Sequence, residues 1–255
     1  MTQILDPVEQ IHEMDGLSNQ YQFISSKEVV STVGSLGWDV HSIQRTAVRS
    51  DKRKGFQNHL IDFRNSDVKL SEDESLISRL LYFGSHDGKS ADKLMAGAFS
   101  FVCGNGLIMG TEFFSHRVIH KGDKALHFLD AVIDITQKFN VLGEIVKQMR
   151  KTIMEREQIN SYLDEAEKLK FNHDNGLFFE KPALLITKRK EEASNSVWNV
   201  YNKTQENIFM GGMQGVRFND SGIPQFFTTR KVDSMKDKIR INTGLFTNAL
   251  TNITN

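Results

Sequence analysis

The chain has 255 residues, of which 39% are apolar and 25% charged, so it is long enough for one large or two small globular domains. Its 32 Lys and Arg residues balance its 32 Asp and Glu residues, which excludes a nucleic-acid binder that is basic over its whole surface. The single cysteine, Cys103, excludes an intrachain disulfide and is typical of a reducing cytoplasm. No apolar run approaches the roughly 18 residues that span a bilayer, so we expect no membrane segment.

The N-terminal part is predicted to hold an arm, a short helix and a β-hairpin. Residues 1–20 are acidic and have few large apolar groups, which predicts a flexible arm and no signal peptide. The segment 26–36 predicts a helix capped by Ser25 or Ser26. Residues 41–50 and 56–64 alternate in polarity on either side of DKRKG, a pattern that predicts two antiparallel strands.

The middle of the chain predicts a strand, a turn and several short elements. Residues 65–75 are polar and indicate a loop, and 76–88, LISRLLYFGSHDG, predicts a strand that ends in a turn. A short helix is predicted over 89–96, and a further strand over 111–120.

A long helix is predicted from about 124 to 170, because apolar residues recur there at steps of four and three. The stripe can cover a sheet within one subunit or pair with a helix of another subunit as a coiled coil. The stripe is wider than the two-position seam of a coiled coil, which favours packing against a sheet within one subunit. The stripe consists of Phe128, Val132, Ile135, Phe139, Leu142, Val146, Met149 and Ile153.

The C-terminal part predicts a short strand at ALLIT (183–187) and a helix at 195–212. These elements together predict an α+β fold, in which a curved antiparallel sheet packs against one long helix and a smaller C-terminal α/β portion follows. The predicted divisions are the arm 1–20, a core 21–172 and a C-terminal portion 173–255.

Five segments, in this order, resemble the phage/plasmid-like protein family of unknown function. They are QNHLIDFR, GSHDGKSADKLMAGAFSFVCGNGLIMG, HKGD, SVWNVYNKTQENIFMGG and INTGLFTNAL. The resemblance covers roughly residues 30–250, and the sequence departs from it at Gly84, where an Asn is common. It implies a protein of a phage or mobile element in the cytoplasm of a bacterial host, and it implies no activity or cofactor.

The SHDG and CxNG segments are interpreted as turns that define the fold, because Asp-Gly and Asn-Gly pairs are typical turn dipeptides. A helix after SHDG would also offer backbone N–H groups to a phosphate, which is the alternative interpretation of that segment. The residues assigned to these structural turns are Ser85, His86, Asp87, Gly88, Asn105 and Gly106.

No metal site or cofactor is predicted, although His86, Cys103, His116 and His120 are residue types that bind zinc. On a strand, His116 and His120 would lie about 13 Å apart, too far for one ion. No catalytic residue is assigned either, because Ser85, His86 and Asp87 are consecutive and their side chains diverge. The alternative is an enzyme in which His59, His86, Asp87 and His120 converge.

Basic residues cluster in three places, which favours contact with phosphates. The first cluster, around the predicted hairpin, holds Arg45, Arg49, Lys52, Arg53, Lys54 and Arg64; the second holds Lys188, Arg189 and Lys190; the third begins with Arg230 and Lys231 and continues with Lys236, Lys238 and Arg240. Four nearby aromatic residues that could stack on bases are Phe56, Phe63, Phe226 and Phe227.

The favoured hypothesis is binding of nucleic acid, above all single-stranded DNA, in annealing, recombination or protection. The predicted plan is similar to that of phage single-strand annealing proteins, which act as oligomers without a nucleotide cofactor, so a homo-oligomer is expected. One alternative is a metal- or His-dependent enzyme acting on nucleic acid or a nucleotide. The other is an inhibitor of a host factor or host defence, with the acidic arm as its contact.

Overall fold

The structure is a computed structural model, and it describes residues 14–17, 23–70, 76–88, 90, 92–100, 107–108, 115–117, 124–171, 178–179, 181–187, 189–219 and 221–253. Most of the predicted arm therefore lies outside the described residues, and so do Cys103, Asn105, Gly106, His120 and Lys188. None of the helices in the described part has the length and apolar character that a bilayer crossing requires.

The described residues divide into two compact units at Val141/Leu142. The predicted division into a core, 21–172, and a C-terminal portion, 173–255, stays a prediction. The first unit contains an antiparallel sheet with helices, and the second contains mainly helices with a small sheet. The protein is therefore α+β, as predicted.

The sheet of the first unit has six strands in the order β1-β2-β3-β4-β5, and the short strand β6 also pairs with β4. All of the described pairings in this sheet are antiparallel, and the β1–β2 hairpin is confirmed. The strands are β1 (Asp39–Arg45), β2 (His59–Lys69), β3 (Leu76–Gly84), β4 (Lys93–Ser100), β5 (Leu107–Ile108) and β6 (Ser115–Arg117).

The central strands are buried on both faces, since five consecutive residues of β2, from His59 to Phe63, are buried. Helix α1 (Ser26–Ser35) begins as predicted with Ser25 as its N-cap, and Glu28 completes a capping box. Helix α2 (Lys124–Gln137) packs on the sheet, with the Phe128 ring edge-on to Tyr82 at a centroid distance of 6.0 Å.

Two predictions for the first unit are wrong. The loop predicted at 65–75 begins too early, because β2 continues to Lys69. Within the segment 89–96, which was predicted as a helix, residues 93–96 begin β4, whose residues pair with β3 from Lys93↔Phe83 to Ser100↔Leu76. The buried apolar run of Leu94, Met95 and Ala96 fits a central strand as well as a helix, and pairing with β3 decides between them.

The single helix predicted from 124 to 170 is also wrong: three helices occupy the segment, namely α2, α3 (Phe139–Lys151) and α4 (Arg156–Phe171). The break after α3 arises because the chain pairs with the segment before α5: Ile153 bridges Ser196, and Met154 N–H donates to the Asn195 carbonyl at 2.9 Å. The apolar stripe is nonetheless buried from Phe128 to Met149, whereas Ile153 is 58% exposed.

The second unit is built around α5 (Val197–Met210), the predicted Trp-containing helix, and α6 (Met235–Thr251). Residues 197–205 of α5 are all buried, polar ones included, so this helix is enclosed on every side. The predicted strand at ALLIT is wrong, since Lys181–Leu185 form a 3₁₀ turn. A three-stranded antiparallel sheet completes the unit, with β7 (Phe178–Phe179), β8 (Gln214–Phe218) and β9 (Pro224–Thr228) in that order.

Candidate functional site

The SHDG turn, Ser85–Gly88, follows β3 and is held from two sides. His86 N–H donates to the Phe56 carbonyl at 3.0 Å, and the His86 carbonyl accepts from Met14 N–H at 3.0 Å. Gly88 has φ +66, and a Cβ added there would lie 2.7 Å from Leu17 Cδ2. The turn therefore requires glycine at this position for its backbone and for its close contact with Leu17.

Two histidines and a serine form a buried cluster beside this turn, which we call the histidine cluster: Ser26, His59 and His86. The Ser26 hydroxyl oxygen lies 2.7 Å from His59 Nε2 and 3.0 Å from His86 Nε2, and the imidazole centroids are 5.1 Å apart. All three residues are at most 1% exposed. Ser26 is the first residue of α1, His59 begins β2, and His86 lies in the turn.

For neutral imidazoles, the hydrogen-bond partners fit one placement of the protons in the cluster. His59 Nδ1 is 3.2 Å from the Gln57 carbonyl oxygen, which can only accept, so Nδ1 carries the proton and Nε2 accepts from the Ser26 hydroxyl. His86 Nε2–H then donates to the same hydroxyl oxygen.

The turn also fastens the loop between β1 and β2. Arg53 Nη2 donates to Asp87 Oδ2 at 2.5 Å, and the Asp87 side chain is fully buried whereas that of Arg53 is 34% exposed. Ser90 Oγ donates to Asn58 Oδ1 at 3.0 Å. One contact joins the loop to the SHDG turn, and the other joins the residue before β2 to a residue after that turn. The loop therefore has a defined position on the sheet.

A group of exposed cations lies on that loop, and we call residues 49–54 the basic turn. Arg49, Lys52 and Lys54 are exposed, and Lys54 pairs with Asp51 at 2.5 Å. The hydrogen bond and the charge of Lys54 lower the pKa of the fully exposed Asp51. Arg45, at the end of β1, is exposed as well. The surface here is basic, and beneath it the buried Asp87 forms the ion pair with Arg53.

The described residues contain no group of three or more His, Cys, Asp and Glu placed to hold a metal ion. A cavity of about 480 Å³ lies along α1, lined by Phe23, Ser25, Lys27, Glu28 and Ser31. The side chains of the histidine cluster do not line it; the Phe23 ring stands beside His86 at a centroid distance of 4.8 Å. The arrangement therefore favours a supporting role for the cluster over contact with a substrate.

The family model for a domain of unknown function, DUF932, matches residues 14–245. The chain belongs to the DUF932 family. The expected membership of a family of unknown function is thus confirmed, while the phage/plasmid-like description and its motifs remain a resemblance.

Two relatives come from Escherichia coli (strain K12). The chain is 25% identical to UPF0380 protein YfjQ over 237 residues, which cover 93% of this chain and 84% of the relative. It is 25% identical to UPF0380 protein YafZ over 198 residues, which cover 78% and 71%. No solved structure matches the chain significantly.

The first predicted basic cluster is divided by the structure. Four of its members lie at the turn end of β1 and β2, namely Arg45, Arg49, Lys52 and Lys54. Arg64 lies at the other end of the hairpin, opposite Asp39 in the strand register. The two ends are about 17 Å apart by strand rise.

A second ion pair on the same strands was not predicted. Asp62 accepts from Arg79 Nε at 2.7 Å, and both side chains are buried. Burial is the largest influence on the pKa of Arg79 and lowers it, while the contact with Asp62 raises it.

The other two clusters lie in the second unit and are partly neutralised. Arg189 pairs with Glu192 at 2.9 Å and also with Glu206, whereas Lys190 is exposed. Arg230 is exposed, and the exposed Lys231 pairs with Asp233 at 3.1 Å.

The four aromatic residues proposed for base stacking are placed very differently. Phe63 is fully buried, Phe56 and Phe227 are half-buried, and Phe226 is 83% exposed. Phe226 and Phe227 belong to the second unit, and Phe56 and Phe63 belong to the first.

Ser26 is the member of the site that sequence reasoning missed, because it was assigned only as a possible helix cap. Its contacts lie 33 and 60 residues away along the chain. No local pattern indicates such a contact, because it depends on how α1 packs beside β2 and the SHDG turn.

Proposed function

We propose that the chain binds nucleic acid, above all single-stranded DNA, through the basic turn and Arg45. The observation that carries the proposal is the ion pair of Arg53 with the buried Asp87, which fixes a loop whose other cations are exposed. Phosphate contacts supply most of the affinity of a binder that does not read sequence. Cations that are already in position lose less side-chain and loop freedom on binding.

The composition of the loop supports a local rather than a global attraction. Between His41 and Asn58 there are five Lys and Arg residues and one acidic residue, in a chain whose net charge is zero. A local positive potential attracts phosphates even when the total charge is zero.

A single strand fits this surface better than a duplex does. Phe56, next to the turn, is half-buried, and an aromatic residue beside a basic loop favours an unpaired strand, whose bases are accessible for stacking. A role in annealing, recombination or protection, in the bacterial cytoplasm and on behalf of a mobile element, is part of the same proposal.

The test is fluorescence anisotropy with labelled single-stranded and double-stranded oligonucleotides over a range of salt. The variant with Arg49→Glu and Lys52→Glu should bind the single strand at least about tenfold more weakly, because two phosphate contacts become repulsive. The slope of log affinity against log salt should also fall by about 1.4, at about 0.7 for each contact on a single strand.

The matched control carries Lys147→Glu and Lys151→Glu, two exposed residues of α3, and changes the net charge by the same amount. It should bind like the wild type. An equal loss in both variants, or no binding by the wild type, would overturn the proposal. In the second case a host protein becomes the better candidate partner, and cleaved oligonucleotide would favour the enzyme in which His59, His86, Asp87 and His120 act.

A further inference from the structure

The β8–β9 hairpin of the second unit presents an unusually exposed aromatic side chain. Phe226, in the middle of β9, is 83% exposed and is the most exposed of the large apolar side chains that the structure describes. In the described part of the chain, β8 is the only strand that pairs with β9, so β9 lies at the edge of its sheet. An edge strand that carries an exposed aromatic residue is a site for pairing with another strand.

The hydrogen bonds of the hairpin show which backbone groups of β9 point away from β8. At one end of the hairpin, Thr229 N–H donates to the Met213 carbonyl at 2.8 Å; at the other, Asn219 N–H donates to the Ile223 carbonyl at 3.1 Å. Bonded and non-bonded pairs alternate along an antiparallel ladder. Position 226 is an odd number of residues from both ends, so it is a non-bonded position.

The same alternation applies to the neighbouring positions. Pro224, Phe226 and Thr228 pair with Phe218, Val216 and Gln214 at non-bonded positions, and their backbone groups therefore face the outer edge. Pro224 has no N–H, so the outer edge offers the N–H groups of Phe226 and Thr228 and three carbonyls.

We propose that β9 pairs with β9 of a second copy of this chain, antiparallel and with the two-fold axis at Phe226. Phe226 then faces its own counterpart and both backbone bonds form between them, while Thr228 N–H reaches the Pro224 carbonyl of the other copy. Because Pro224 has no N–H, one backbone hydrogen bond is missing at each end of the paired strands, namely the one from position 224 to the Thr228 carbonyl of the other copy. The inference does not depend on the proposed nucleic-acid function.

Two features favour a second copy as the occupant. Strand β9 has the sequence PQFFT and carries no charge, so two copies meet without the repulsion that like charges cause when they are opposite each other in a sheet. Self-pairing also places two aromatic side chains opposite each other, which is a favourable cross-strand pair. Because the contact involves one short strand from each copy, it buries less surface than a stable dimer needs, and the dimer is a weak one.

The experiment is sedimentation equilibrium without nucleic acid, up to about 1 mM protein, where a dimer of millimolar or better affinity is visible. The wild type should show a monomer–dimer equilibrium. Phe226→Lys should raise the dissociation constant at least about tenfold, because two lysines then stand opposite each other. An equimolar mixture of Phe226→Lys and Phe226→Glu should associate again, while neither does so alone.

The control is Gln225→Lys, which adds the same charge to the neighbouring exposed position, whose side chain lies on the other face of the hairpin. It should dimerise more like the wild type than Phe226→Lys does. A wild type that stays monomeric, a dimer that Phe226→Lys leaves unchanged, or a mixture that fails to associate would each overturn the proposal. If Phe226→Lys lowers oligonucleotide affinity in spite of its added positive charge while the wild type stays monomeric, the side chain contacts nucleic acid instead.

Discussion

At the scale of single residues, the hydroxyl of Ser26 has an unusual position because it serves two buried histidines at once. The hydroxyl donates to His59 and accepts from His86, so one small side chain satisfies two ring nitrogens in a fully buried place. Removing it leaves both nitrogens without that partner, and each unsatisfied buried polar group costs about 1 to 3 kcal/mol.

We therefore expect Ser26→Ala to lower the free energy of unfolding by about 2 to 4 kcal/mol, measured by urea denaturation. The control is Ser31→Ala, an exposed serine of the same helix, which should change the free energy by less than about 0.5 kcal/mol. A Ser26→Ala protein as stable as the wild type would contradict the account in which one hydroxyl satisfies both histidine rings.

At the scale of elements, the basic turn depends on an ion pair that joins it to the SHDG turn. Asp87→Asn removes the charge that holds Arg53, although an amide of the same shape remains. Because Asp87 is buried and Arg53 is only a third exposed, we expect faster amide hydrogen exchange over residues 51–57 in this variant. Mass spectrometry of the exchanged peptides measures this effect.

The control for that experiment lies in the turn itself. Asp51→Asn removes the partner of Lys54, but the Asp51 side chain is 88% exposed, and surface ion pairs contribute little to stability. Its exchange should match that of the wild type. If Asp87→Asn also exchanges like the wild type, the loop is not held by this ion pair, and the argument for positioned cations fails.

Elements with strong local signals could be predicted from the sequence, and those decided by distant pairing could not. The serine cap of α1, the β1–β2 hairpin and the Trp-containing helix are predicted from local patterns, and the structure contains all three. Leu94 to Ala96 are equally compatible with helix and strand, and β3 decides the matter. The helical period continues past Lys151, yet the pairing of Ile153 with Ser196 ends the helix there.

The candidate site follows the same rule. The sequence identifies the basic residues and the SHDG turn, because charge and turn dipeptides are visible in a short window. It does not show that Arg53 is held by Asp87 while Arg49 and Lys52 stay exposed, since that difference depends on which strand ends meet.

At the scale of the whole molecule, the two units carry one tryptophan each, Trp38 in the first and Trp198 in the second, so each unit has its own fluorescent reporter.

The second unit also holds two buried tyrosines, Tyr162 of α4 and Tyr201 of α5, and burial raises the pKa of both well above the ordinary value of 10. These groups stay protonated in the folded unit, whereas in the unfolded chain they lose their protons near pH 10. Their contribution to stability is therefore complete below pH 10 and is lost as the pH rises above it.

We expect the unfolding transition reported by Trp198 in a Trp38→Phe protein to weaken above pH 10, by up to about 1.4 kcal/mol per pH unit for each tyrosine. Adding Tyr162→Phe and Tyr201→Phe should flatten that dependence. The transition reported by Trp38 in a Trp198→Phe protein should not respond to the two tyrosine substitutions, because both residues belong to the other unit. Urea titrations between pH 8 and 11 measure both transitions.

Equal responses from the two reporters would show that the units unfold as one cooperative body. A pH dependence that remains after both tyrosine substitutions would show that other groups cause it.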